Sequence, residues 1–215
     1  MKKLSSLKMQ ELRELRQFYA GRQEAIRVRL SEFAAVQPAE YFYELLYCIL
    51  TPQSSAEHAE QAVSLLEAAD FRNHDINPEP ILRRKDCYIR FHHTKSRHLL
   101  KMKDHFPVIA QKLSESVPAS DLREWLVQHV LGLGYKEASH FLRNIGRNDG
   151  LTILDRHILR NLKRFGVIST IPKSLSKRNY IEIEQRFSQF AAHIGIAVDE
   201  LDLVFWSMET GEIRK

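Results

Sequence analysis

Lys136 and Asp155 are the residues through which this sequence could most directly do chemistry. Lys136 lies in Val130-Leu131-Gly132-Leu133-Gly134-Tyr135-Lys136-Glu137-Ala138, and Asp155 in Leu154-Asp155-Arg156-His157. Two glycines two apart, between apolar residues, interrupt a helix and fit a tight hairpin whose backbone leaves N–H groups unpaired. A helix restarting at Tyr135 sets those groups at its N-terminus, where a phosphate can be held. Lys136 then falls in the first helical turn, and Asp155 opens the next helix 19 residues later (155 − 136). An amine and a carboxylate converging on a sugar beside a DNA phosphate make a covalent catalyst. The same glycines would also serve a hairpin that merely grips DNA, and Asp155 could cap its own helix.

The elements that must position these groups read as helices throughout. Leu4, Leu7, Leu12, Leu15 and Phe18 recur at helical spacing, and Ile26, Leu30 and Phe33 continue the pattern to about residue 35. Arg13, Arg16, Arg22, Arg27 and Arg29 fall on the other faces; most are expected to be solvated, and none is assigned a role. Tyr41 to Leu50 reads as a buried helix that Pro52 ends. Ser54 with Glu57 offers a capping box for the helix over 56–69. Residues 72–79 are polar and loop-like. A helix opens after Phe91 and runs through Leu99, Leu100 and Met102, and Pro107 and Pro118 are read as punctuation between helices. Ser120 can cap the helix Asp121 to Val130, the first arm of the hairpin, and the second arm runs from Tyr135 to about Ile145. Helices at 180–192 and 199–208 follow a loop at 172–177. No stretch alternates as a strand would, so the fold class is all-α.

Composition narrows the class further. The 215 residues carry a net charge of +5, with a pI near 9.2, the sign a nucleic-acid binder needs. No run of 18 apolar residues suggests a membrane span, and the charged N-terminus lacks a signal core. An intracellular protein is expected, in the cytoplasm or nucleoid if the source is prokaryotic. Cys48 and Cys87 are isolated and read as packed apolar residues rather than a disulfide. His92, His93, His98 and His105 lack a closed ligand spacing, so no metal is expected.

The apolar-Gly-apolar-Gly-x-Lys-x-Ala pattern with its downstream Asp resembles the helix-hairpin-helix DNA glycosylases. The segments 50–56 and 132–144, with Asp202-Leu203-Val204-Phe205-Trp206 before a tail ending in Lys215, are most similar to the type-2 8-oxoguanine DNA glycosylase/lyases. The resemblance spans most of the chain beyond residue 45. It implies two helical lobes with a DNA-binding cleft: 47–134 as one, and 1–46 with 135–215 as the other, the hairpin at their junction. It implies Lys136 as the nucleophile and Asp155 as its carboxylate partner. Gln53 would fill the gap left in the duplex, while Gly132, Gly134 and Tyr135 would hold the backbone. Trp206 would stack on the oxidised base, Lys215 would supply the terminal determinant, Asp202 would support the pocket, and Phe91 could stack on the base or simply pack in the core. No cofactor is implied, and two cysteines cannot hold the iron–sulfur cluster of endonuclease III-like relatives. The expected partner is double-stranded DNA containing 8-oxoguanine, bound by a monomer away from any membrane. An endonuclease III-like enzyme for oxidised pyrimidines would share Gln53, Lys136 and Asp155, and a non-catalytic DNA-binding module would share the hairpin.

Overall fold

The computed structural model describes residues 6–213. Its elements are α1 (Ser6–Ala20), α2 (Gln23–Ala35), α3 (Tyr41–Leu50), α4 (Ala56–Ala68), α5 (Glu79–Leu82), α6 (His92–Leu113), α7 (Ala119–His129), α8 (Tyr135–Asn144), α9 (Arg156–Arg164), α10 (Lys177–Ile194) and α11 (Val198–Thr210). Among the described residues no strand occurs, as the sequence predicts. Contacts divide the chain into a unit of residues 36–147 and a unit that joins residues up to 35 with those from 148 onward. The bounds expected for the central lobe, 47–134, lie inside the first of these.

In the 36–147 unit, α3 is the centre. Leu45 through Leu50 are all buried without a break, so the helix is apolar on every side and must be surrounded. α4, α6 and α8 pack against it. Each fully buried aliphatic or aromatic side chain stabilises by about 1.5–3 kcal/mol relative to exposure. Phe42 meets Phe106 of α6 edge to face at 5.0 Å. Among the polar ties in this core, Asn144 of α8 donates to Glu44 of α3 at 3.1 Å.

α6 departs from the sequence expectation. The sequence reads Pro107 as a break, yet α6 continues through it to Leu113. Proline removes one backbone bond and crowds the preceding turn. The helix persists because Phe106, Ile109 and Leu113 bury its apolar face on both sides of the proline. Pro118, by contrast, does sit at a boundary as the residue before α7, which leaves Ser120 inside the first turn rather than capping it.

The other unit is organised around α11, against which α2, α9 and α10 pack. The rings of Phe165, Phe187 and Phe190 stack on Phe205 of α11 at 5.5, 5.7 and 6.5 Å. Glu200, buried in the first turn of α11, accepts from Tyr19 of α1 at 2.5 Å and from Arg27 of α2 at 2.9 Å. A buried carboxylate is tolerated only when so partnered. Arg27, though more than half exposed, therefore has a structural partner in α11.

Candidate active site

α7 ends at His129, and the chain turns through Val130–Leu133 before α8 begins at Tyr135. Gly132 has φ +90°. A Cβ there would also stand 2.5 Å from Nδ1 of His98 on α6. Glycine is thus required twice, for conformation and for space. Gly134 is ordinary extended backbone, and its Cβ would meet a carboxylate oxygen of Glu137 at 3.1 Å. That carboxylate accepts from the Gly134 N–H at 3.2 Å, and the Leu133 N–H reaches the Val130 carbonyl at 3.3 Å. The expectation that the hairpin amides are unpaired is corrected for these two. An acidic side chain is favoured at a helix N-terminus for the same reason that a phosphate is. Glu137 occupies the Gly134 amide.

Lys136 lies in the same turn. Its side chain is about a quarter exposed, and Nζ is 3.9 Å from the other oxygen of Glu137. Tyr135 turns toward α7: its hydroxyl bonds Glu124, and the Arg123 guanidinium lies 5.3 Å over its ring. Tyr135 therefore buttresses the hairpin. His98, which backs Gly132, has its pKa pushed down by burial, with Arg97, Lys101 and Lys95 adding to the effect.

The loop after α3 is the second feature of this unit. The Ser54 N–H bonds the Thr51 carbonyl at 3.0 Å, with Pro52 and Gln53 between them. Gln53 has φ +57° and its side chain is exposed. Proline second and a positive φ third is the arrangement of a type II turn, in which glycine is the unstrained third residue. Glutamine is held there against its conformational preference. The cap of α4 is Ser55, which accepts from the His58 N–H at 3.1 Å, so the expected Ser54–Glu57 box does not form. Ser54 instead accepts from the Arg90 N–H at 3.1 Å. Phe91, next to Arg90, is also left-handed at φ +62° and is 51% exposed. It is no core residue, and the Arg90 guanidinium stacks over it at 4.9 Å.

In the other unit, Asp155 is the N-cap of α9. Its Oδ1 accepts from the N–H groups of His157 and Ile158 at 2.7 and 2.8 Å. The approach to it, Leu151–Leu154, is irregular and buried, so its polar groups need partners. Tyr180 of α10 supplies two: its hydroxyl donates to the Thr152 carbonyl at 2.7 Å and accepts from the Leu154 N–H at 3.2 Å. Glu184 accepts from the Thr152 N–H at 2.9 Å. Trp206 is only half-buried, unlike its neighbour Phe205, and meets His157 edge-on at 6.3 Å. Asp202 is buried one helical turn before it. Asp155 thus opens α9, and Trp206 and Asp202 lie on α11, which packs against α9. Lys215 lies outside the described residues.

The sequence does not give the roles of Tyr180, Glu184 and Lys95, a buried residue bonded to the Gln53 loop, and it gives Ser54 a different one. A signal existed for two of them. Tyr180 shares a face with Ile183 and Phe187, where a buried hydroxyl must find a partner. Lys95 shares a face with Leu99 and Met102. Of the histidines, His105 stacks on Trp125 at 6.2 Å. His92 and His93 lie with Glu79, one ligand atom from each within 4.8 Å, and could hold a metal ion. Their place at the electropositive start of α6 opposes a cation, and His93 already bonds Glu79 at 2.9 Å.

The model of the 8-oxoguanine DNA glycosylase family matches residues 8–196. The 8-oxoguanine DNA glycosylase/AP lyase of Fusobacterium nucleatum is 35% identical, over 94% of this chain and 96% of its own. The crystal structure of the Methanocaldococcus jannaschii 8-oxoguanine DNA glycosylase superposes with a TM-score of 0.84 at 32% identity, covering 96% of this chain and 97% of that one. The M. jannaschii enzyme in complex with 15mer DNA containing 8-oxoguanine gives 0.79 at 33% identity, over 90% and 93%.

Proposed function

Because this chain belongs to the 8-oxoguanine DNA glycosylase family, we propose that it excises 8-oxoguanine from duplex DNA and then cuts the abasic site, with Lys136 as nucleophile. The observation that carries the reading is the match across residues 8–196, which includes both the hairpin lysine and the α9 aspartate. The base is inside the stack and must be flipped out, at a cost of a few kcal/mol. The Lys136 amine attacks the sugar C1′, the bond to the base breaks, and the base leaves with a proton. The resulting imine acidifies the neighbouring sugar proton, and β-elimination breaks the 3′ phosphate ester.

Asp155 stabilises the positive charge that builds on the sugar and helps take the lysine's proton. Its cap bonds both fall on Oδ1, which fixes the carboxylate's orientation. Gln53 enters the gap in the duplex, and Gly132, Gly134 and Tyr135 hold or buttress the backbone contact. Trp206 and Phe91 offer rings to the extruded base. Asp202 supports that pocket, and Lys215 is a further determinant of the base. 8-Oxoguanine presents a donor at N7 where guanine presents an acceptor. An acceptor facing that edge gains one hydrogen bond with the first and repels the second, worth roughly 1–3 kcal/mol.

The chain acts as a monomer, inside the cell. No described helix is long and apolar enough to cross a membrane. Borohydride trapping tests the chemistry. A covalent adduct forms on duplex carrying 8-oxoguanine and vanishes in Lys136→Gln. Trapping on thymine glycol instead would favour a pyrimidine enzyme, and no adduct from the wild type would leave a DNA-binding module.

A further inference from the structure

We propose that Lys95 is a positioning residue that holds the Gln53 loop in its inserting conformation and couples it to the Phe91 loop. The inference rests on the reading of Gln53 as the residue that enters the duplex. Lys95 lies in the first turn of α6 and is 6% exposed. Its ammonium donates to the Leu50 carbonyl at 2.6 Å, the Pro52 carbonyl at 2.7 Å and the Ser54 hydroxyl at 3.3 Å. An ammonium has three protons, and each here has an acceptor on the loop. The three acceptors bracket Gln53 in sequence: the last carbonyl of α3, the proline before the glutamine and the serine after it.

A loop that only needs to connect two helices has no reason to bury a charge, and burial penalises the ammonium. The bonds oppose that penalty and the positive φ of Gln53 together. A loop free to relax would take the unstrained conformation and turn the glutamine elsewhere.

The second loop joins through the same serine. Ser54 accepts from Lys95 and from the Arg90 N–H, and Nδ1 of His58 on α4 lies 3.1 Å from the Tyr88 carbonyl. Gln53 and Phe91, two left-handed residues other than glycine, are thereby presented by loops that share one hydrogen-bonded centre. Lys95 also feels the charges of Glu137 and Lys136 on α8, so the clamp stands electrostatically beside the hairpin turn.

The test uses the full chain and a duplex with 2-aminopurine next to 8-oxoguanine. Insertion is read as fluorescence enhancement in the uncleaved Lys136→Gln background. Excision is read as the single-turnover rate at saturating protein with Lys136 intact. Lys95→Met keeps the aliphatic stem and removes every donor. It should abolish most of the enhancement and slow excision about tenfold or more, while affinity for undamaged duplex stays within about twofold. Ser54→Ala removes the shared acceptor and should give a smaller loss in both readouts. It carries the test if Lys95→Met does not fold by urea titration. Wild-type enhancement and excision rate in the folded Lys95→Met protein, or in Ser54→Ala where that carries the test, would overturn the clamp. Gln53→Ala separates the two ideas: if it leaves enhancement and rate unchanged, the insertion reading itself is wrong. If Gln53→Ala is impaired while Lys95→Met is not, the insertion reading stands and the clamp falls.

Discussion

Replacing Gly132 by alanine tests how the hairpin is built. Two costs are visible. The first is conformational: at φ +90° an L-residue is strained by about 1–2 kcal/mol. The second is steric: the new Cβ would stand 2.5 Å from His98 Nδ1 and 3.4 Å from two further ring atoms. Forcing a side chain aside in a packed region costs about 1–3 kcal/mol. The sum is roughly 2–5 kcal/mol, or about 4–20 °C in Tm for a chain of this size. Urea unfolding of Gly132→Ala, His98→Ala and the double variant separates the parts. His98→Ala removes the ring and leaves the dihedral cost, so the double variant should recover about 1–3 kcal/mol relative to the sum of the singles. Additivity within about 0.5 kcal/mol would refute the claim that His98 sets the space behind the turn. If the turn also presents an amide to a phosphate, losing that charge-assisted bond costs about 1.5–3 kcal/mol. Duplex binding by Gly132→Ala should then weaken by roughly 10- to 150-fold at fixed salt. Unchanged affinity would remove the hairpin from the DNA interface.

Other outcomes follow from the same geometry. Asp155→Asn should retain the α9 cap, since asparagine caps as well as aspartate, and unfold within about 0.5 kcal/mol of the wild type. Its single-turnover excision should drop about 100-fold or more, because the charge is gone; a comparable loss in both measurements would make Asp155 structural. Gln53→Gly relieves the positive φ and should stabilise the chain by about 1 kcal/mol in urea titration while impairing excision. A destabilised Gln53→Gly would show that the loop is not strained. Burial pushes the Lys95 ammonium down to about 8, with Lys136 adding to the fall and Glu137 opposing it. Between about pH 8 and the ordinary lysine value the unfolded chain keeps a proton that the folded chain releases, so stability gains with pH across that window. The wild-type unfolding free energy should therefore rise relative to that of Lys95→Met from pH 8 to 10; a difference that stays flat would contradict the burial penalty.

The helices, the hairpin and the two residues of the proposed chemistry were legible in the chain. Apolar spacing marks a helix over a few turns, and two glycines at 132 and 134 interrupt one by local sterics, so neither needs distant information. The family pattern is likewise a local string of residues that survives without knowledge of packing. What the string does not contain is the identity of partners far along the chain. Lys95 finds acceptors 41 to 45 positions away, and Tyr180 steadies the approach to Asp155 from 26 and 28 positions away. Ser54 reads as a cap until Arg90 and Lys95 are seen to claim it. Pro107 reads as a break until burial on both sides is seen to hold the helix through it. Local rules act through neighbouring dihedrals and are written in sequence order. The choice among competing hydrogen-bond partners belongs to the packed chain, because only there are distant groups close together and water excluded.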